Sequence, residues 1–324
     1  MKKGYIDLHL HLDGAITPKI ARKLAEKAHI KLPVSDEELE CRLSVPETCE
    51  NLNDFLKCFQ LPLTLLQSEE TIEEAVYLVQ ENIKKDGIIY AEIRFAPQLH
   101  CDGGLNQEQV ILSALKGLKR SDLPCNLILC CMRGDDTKEK NFETIRLAEK
   151  YLVKDSGVVA IDLAGAEGLF PTKNFSEEFA AARKAGIPFT IHAGEADGAE
   201  SVKMALEFGA VRIGHGVRIK EEEELLEYLK QKNICLEMCP TSNRQTKAVG
   251  DMQQYPLAYY LNKGLHVTVN TDDMAISRTT IQKEFEYIEK KFGISDAQKH
   301  TLLRNAVQSA FITDEKKEQL MQQI

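Results

Sequence analysis

Tyr5-Ile6-Asp7-Leu8-His9-Leu10-His11 (YIDLHLH) begins with a strand-like run, Tyr5–His9, that ends on a histidine. Alternate residues of a strand face the same side, so His9 and His11 point together, roughly 6.5 to 7 Å apart along the chain. Two imidazoles so placed can share one metal ion, although two satisfied strand histidines would look the same. The meaning of the pair depends on what the rest of the chain places beside it.

Seven further apolar runs follow: Gly87–Phe95, Leu127–Met132, Val158–Leu163, Pro188–His192, Val211–His215, Ile234–Met238 and Leu265–Asp272. Helical patterns lie between most of them, including Pro18–His29, a helix capped at Ser68 and running through Lys85, Ala199–Phe208 and Glu221–Lys230. Residues 36 to 68 are less regular and carry helix signals such as Leu52–Phe59. Glu284 onward reads as helices packing outside. Strands alternating with helices predict an α/β fold with a parallel sheet, here a (β/α)₈ TIM-type barrel. The reading is one domain over residues 1–324, with a helical insertion after strand 1 lying over the mouth and extra C-terminal helices. His9, His192, His215 and Asp272 each end a predicted strand, the position where barrel enzymes carry their chemistry.

Composition narrows the function. The 324 residues are 43% apolar and 28% charged, close to globular averages. A net charge of −9 removes the basic footprint expected for nucleic acid or an anionic membrane. No apolar run is long enough to span a bilayer. The nine cysteines include no CxxC pair, and Met1-Lys2-Lys3 runs straight into a strand rather than a secretory leader. The expectation is reduced thiols and a cytoplasmic location.

Three histidines and a carboxylate (His9, His11, His192 and Asp272) match the N and O donors that zinc prefers, with a position left for water. Water bound there becomes acidic enough to supply hydroxide near neutral pH. Strand 4 ends Asp162-Leu163-Ala164-Gly165, with no lysine to bridge a second ion, so one zinc is expected. Glu195 follows His192 and Gly194 in a loop facing the metal, a place that suits proton transfer. His215, between two glycines, would orient or deprotonate the water. Asp272 and Asp273 are adjacent carboxylates; one can take the metal while the other meets substrate.

These segments resemble the adenosine deaminase family of the amidohydrolase superfamily. The resemblance rests on Leu8–Ala15 (LHLHLDGA), Ala91–Pro97 (AEIRFAP), Cys130–Arg133 (CCMR), Asp162–Gly165 (DLAG), His192–Glu195 (HAGE), Gly214–Gly216 (GHG), Cys239-Pro240 and Asn270–Asp273 (NTDD). It runs from residue 5 to the C-terminus. It implies that His9, His11, His192 and Asp272 hold zinc, with His11 also against the substrate. Glu195 would protonate purine N1, and His215 and Asp272 would position the attacking hydroxide. Asp273 would contact N7, the Gly165 N–H would contact N3, and Asp13 would bind the ribose 5′-hydroxyl. Phe55, Leu56 and Phe59 lie where the family has an apolar gate helix. The implied reaction turns adenosine or 2′-deoxyadenosine into the inosine nucleoside and ammonia, as in purine salvage.

The sequence departs from the pattern at Met274, where the family often has proline, and at Thr241-Ser242-Asn243, which resembles one branch only. The chemistry is unaffected, but the shape of the purine pocket is left open. A carboxylate at Asp13 favours a nucleoside over a 5′-phosphate, and adenine would have no use for it. Competing readings are a deaminase of adenine, N6-methyl-AMP or another modified adenosine, a nucleoside-binding protein without activity, and a structural metal site.

Overall fold

The computed structural model describes residues 4–32 and 35–324. Its strands are β1 Tyr5–His11, β2 Ile88–Phe95, β3 Cys125–Met132, β4 Val158–Ala164, β5 Thr190–Ala193, β6 Arg212–His215, β7 Cys235–Met238 and β8 Val267–Val269. They pair in parallel as two four-stranded sheets, β1-β2-β3-β4 and β5-β6-β7-β8. Two seams join the sheets. At one, Ile161 of β4 bridges to Phe189 ahead of β5, and the Ile161 N–H donates to Pro188 O at 3.1 Å. At the other, Leu10 of β1 bridges to Asp272 beyond β8. There the His11 N–H donates to Asp272 O at 2.9 Å and the Asp272 N–H to His9 O at 2.8 Å. The eight parallel strands therefore form a ring, as the alternation of elements predicts.

Strands in such a ring are covered by helices outside and read as apolar runs. Leu127, Leu129 and Cys131 of β3 share one core cluster with Val110, Ile111 and Ala114 of helix Gln107–Leu118 and Ile145 and Ala148 of helix Lys138–Tyr151. The inside of the ring is different. Barrel interiors are usually filled by branched apolar side chains. Here Tyr90, Glu92 and Arg94, at period two on β2, are fully buried together with Asp162, Arg212 and Glu237. The helices Asp296–Ser309 and Asp314–Met321 pack outside, and between them Phe311 turns inward. Its N–H donates to Glu92 Oε1 at 2.6 Å and its ring lies 4.0 Å from the Arg212 guanidinium.

Two elements differ from the sequence expectation. The run Leu52–Phe59 is not one helix but an α-turn Leu52–Leu56 followed by a 3₁₀ turn Lys57–Phe59, after which Gln60–Leu65 starts afresh. Pro62 has no N–H to bond back to Cys58, so an unbroken helix would lose a rung here. Strand 8 stops at Val269 rather than at Asp272. Asn270 still donates its N–H to Met238 O, but its side chain then takes over, accepting the Leu8 N–H at 3.0 Å. Asp272 has φ +59°, which ends extended backbone.

The helices Glu69–Lys85 and Gln107–Leu118 approach closely at Gly117, where an added Cβ would stand 2.3 Å from Glu73 O. Gly117→Ala should therefore push two packed helices apart and cost about 1–3 kcal/mol. Urea unfolding measures this.

Candidate metal and substrate site

At the strand ends, four side chains converge. His9 Nε2 lies 3.0 Å from His192 Nε2, and His11 Nε2 lies 3.2 Å from the same atom. Asp272 Oδ1 is 3.2 Å from His9 Nε2 and 3.4 Å from His11 Nε2. Donors around a tetrahedral zinc-sized ion, at bonds of ~2.0–2.1 Å, stand roughly 3.3 Å apart. The proton accounting agrees. His9 Nδ1 lies 2.7 Å from Glu237 Oε2, and His192 Nδ1 lies 2.9 Å from Asp162 Oδ2. The His9 imidazole gives its Nδ1 proton to Glu237, and the Asp162 carboxylate beside His192 Nδ1 favours a proton on that nitrogen too, which leaves lone pairs on the two facing Nε2 atoms. Facing lone pairs repel unless a cation lies between them. The residues present thus fit a divalent metal ion.

His215 also lies near this group, with Nε2 3.9 Å from Asp272 Oδ2 and 3.5 Å from Glu195 Oε2. It stands outside the tight set of 3.0–3.4 Å contacts. The Asn243 amide donates to His215 Nδ1 at 3.0 Å, and Tyr255 donates its hydroxyl to Asn243 Oδ1 at 2.9 Å. That chain puts the imidazole proton on Nε2, facing the two carboxylates. Burial pushes the His215 pKa well below the usual histidine value, so the ring is neutral.

A second tier of charge holds the first. Arg94 donates to Asp162 Oδ2 at 3.0 Å, to Glu237 Oε2 at 2.8 Å and to Leu8 O at 2.7 Å. Arg212 donates Nε–H to Glu237 Oε1 at 2.6 Å and pairs with Glu92 Oε2 at 2.6 Å. Burial opposes ionisation of Glu237, yet Arg212 and Arg94 outweigh it and hold the carboxyl well below its usual range.

Beside the donor cluster is a cavity of about 260 Å³. One wall is apolar, with Leu52, Phe55, Leu56 and Phe59 from the insertion after β1. The lining also includes Asp13, Glu195, Asp273 and Gly165. Burial, then the charges of Asp272 and Glu167, raise the Glu195 carboxyl to about 8. Thr246 donates its hydroxyl to Glu195 Oε1 at 3.2 Å. The paired aspartates are driven apart. Burial resists ionisation of Asp272, but His9, His215 and His11 overcome it and hold its pKa well below the usual value. Burial and the charges of Asp272, Asp13 and Glu195 push Asp273 well above it. Asp273 Oδ1 fills the space of the missing side chain at Gly14, where a Cβ would be 1.9 Å away. Asp13, 5% exposed, has an Oδ1 with no protein partner, and burial raises its pKa to about 6. Gly165 bends the chain away from β4 at φ +105°, a conformation open to glycine.

The sequence pattern of the adenosine deaminase family matches residues 5–324. The chain belongs to the adenosine deaminase family. It is 48% identical to the adenosine deaminase of Haemophilus ducreyi, over 99% of this chain and 95% of that one. It superimposes on the adenine deaminase of Arthrobacter aurescens with a TM-score of 0.89 at 28% identity, covering 99% of this chain and 98% of that one. The N6-methyl-AMP deaminase of Arabidopsis thaliana gives 0.82 at 27% identity, covering 98% and 95%.

Every site residue picked from the sequence thus lies in or beside one cavity. The two departures also find places. Met274 is buried in the main core. In the turn Pro240–Gln245, Ser242 lines the cavity, Asn243 bonds to His215, and Thr241 faces away, its N–H donating to Glu284 Oε2 at 3.1 Å. Sequence reading gave no role to Glu237, Asp162, Arg94, Arg212, Glu167 or Asn243. Four of them carried a signal: a charge in the middle of an apolar strand is almost never buried without a partner.

Glu237→Gln should keep the shape but weaken the His9 anchor and leave Arg212 and Arg94 short of a charge. Metal affinity should drop ~10–100-fold in competition with a chelator. Stripping the metal from the native chain should lower its melting temperature, since the lone pairs then face each other directly.

Proposed function

We propose that this chain hydrolyses the 6-amino group of adenosine and 2′-deoxyadenosine, taking up water and giving inosine or 2′-deoxyinosine and ammonia, a purine-salvage reaction. One zinc ion would be held by His9, His11, His192 and Asp272, whose spacing and donor types suit it. Zinc would supply acidified water next to the purine. The observation that carries the reading is Glu195: a carboxyl still protonated near neutral pH, in the same cavity as the donor cluster. It is placed to give a proton to purine N1 and make C6 electrophilic.

Asp273 sits high on the pH scale and so holds a proton it can donate to N7. The Gly165 N–H would meet N3. His215, neutral and with Nε2–H directed at Glu195 and Asp272, orients the attacking water rather than taking its proton in the resting state. Asp13 would hydrogen-bond the 5′-hydroxyl, and a 5′-phosphate would meet its charge in a buried setting. Leu52, Phe55, Leu56 and Phe59 cover the sugar side and exclude water. No helix of the described residues is long and apolar enough to cross a membrane. The cysteines are free, which suits a reducing cytoplasmic location.

Glu195→Gln should abolish nearly all ammonia release while the metal stays bound; full activity in that variant would remove the proton-donor role. In the native enzyme kcat should fall as pH rises through the Glu195 value of about 8, because the proton donor is then lost. Asp13→Ala should lower kcat/KM for adenosine ~10–100-fold and leave 5′-deoxyadenosine nearly unaffected. A native preference for adenine or N6-methyl-AMP in the same panel would overturn the nucleoside assignment.

A further inference from the structure

Glu167 lies two residues beyond Gly165, in the loop after β4, and is 1% exposed. Its carboxylate accepts five hydrogen bonds. Oε1 takes the Gly194 N–H at 2.7 Å and the Ser201 hydroxyl at 2.6 Å. Oε2 takes the N–H groups of Glu195 at 3.0 Å, Ala196 at 2.7 Å and Asp197 at 3.0 Å. Every one of these five partners is a donor. Four successive amides wrapped round one anion make a concave nest, here filled from within the protein.

The same loop is gripped from the other end. Arg133 donates to His192 O at 2.6 Å and to Thr172 Oγ1 at 2.9 Å. Thr172 and Ser201 share a hydroxyl bond of 2.6 Å, and Ser201 donates on to Glu167. A buried chain, Arg133–Thr172–Ser201–Glu167, therefore clamps residues 192–197. That segment carries both the His192 imidazole and the Glu195 carboxyl.

We propose that Glu167 is a positioning residue for the deamination: by binding the amides of residues 194–197 it fixes where the Glu195 carboxyl stands relative to the substrate ring. The inference rests on the proposed adenosine deamination and deepens it. A backbone placed by four amides leaves the Glu195 side chain only its own rotations, which Thr246 and His215 then restrict. Proton transfer falls off steeply with misplacement, so a shift of about 1 Å there would cost on the order of 100-fold in rate. Glu167 acts on Glu195 through charge as well, being third after burial and Asp272 among the influences that keep that carboxyl protonated. A mere loop staple would affect the yield of folded protein but not turnover per metal-loaded molecule.

The test uses the full metal-loaded chain and adenosine. Glu167→Gln keeps the size, removes the charge and turns an amide against the backbone N–H groups. kcat should fall ~100-fold with KM within about threefold and metal content unchanged. The alkaline limb of kcat should move to lower pH, because losing a neighbouring negative charge lets Glu195 give up its proton earlier. Glu167→Asp, with the charge restored, should recover at least about tenfold and return the limb. A kcat for the Gln variant within about threefold of native, a loss confined to KM, or an Asp variant no better than Gln would each overturn the proposal. If the Gln variant does not fold, Ser201→Ala decides: it removes one donor from Glu167 and should lower kcat ~3–10-fold at constant KM, whereas unchanged kcat refutes the clamp. Native enzyme that releases no ammonia from adenosine would refute the deaminase reading instead, before any variant is made.

Discussion

Three imidazole nitrogens within 3.2 Å of their neighbours, one committed to a lone pair by the Glu237 carboxylate behind it and another backed by the Asp162 carboxylate, are tolerable only around a cation. Much of the unusual chemistry inside the barrel follows from that requirement. Fixing the His9 and His192 tautomers demands Glu237 and Asp162. Two fully buried carboxylates are costly alone, so Arg94 spans both and Arg212 takes the remaining Glu237 oxygen. Arg212 in turn needs Glu92, and Glu92 needs the Tyr90 hydroxyl and the Phe311 N–H. The layer that a typical barrel fills with branched hydrocarbons is given over to a chain of charges ending at Phe311. Stability and metal binding are one network here: no member can be removed without stranding the next.

The same logic separates the two aspartates. Asp272 and Asp273 are equally buried neighbours in sequence, yet one is held ionised by three imidazoles and the other is driven to hold a proton by the charges of Asp272, Asp13 and Glu195. A pair of titrating groups pushed in opposite directions is how a site comes to hold an anion and an acid side by side. The backbone makes the split possible. Asp272 has φ +59° and His215 has φ +64°, conformations that cost side-chain-bearing residues energy and persist only where the surroundings impose them. At Asp272 the imposing bonds are the two that also close the ring between β8 and β1.

The legible part of this architecture was whatever is written as a period or a strand end. Alternation of apolar runs with helical patterns gave the barrel, and polar residues ending those runs gave His9, His192, His215 and Asp272. Glu195 drew its meaning from its place after His192 and Gly194, Asp13 from the family pattern, and the structure puts both on the cavity wall. Strand 8 was overextended because apolar Val267–Val269 runs into Asn270, whose side chain imitates a ladder partner without being in the strand. The helical run Leu52–Phe59 is broken into shorter turns because Pro62, beyond the apolar run that suggested the helix, offers Cys58 no N–H.

The rest was hidden for a different reason. Glu167 and Asn243 do their work through backbone amides and through another side chain's tautomer, and neither leaves a periodic trace. Glu167 in particular reads as an ordinary loop charge until the four amides of residues 194–197 are seen to close on it. Glu92, Arg94, Asp162, Arg212 and Glu237 were visible all along as isolated charges in buried strands, but their meaning is collective. Each is destabilising alone and justified only by partners on other strands, Arg94 and Glu237 lying 143 residues apart. A pattern that must be balanced in three dimensions has no one-dimensional period, and the imbalance of each strand is its only mark in the sequence. An unpaired charge in the middle of a predicted parallel strand is therefore best treated as one half of a pair whose other half must be sought on another strand.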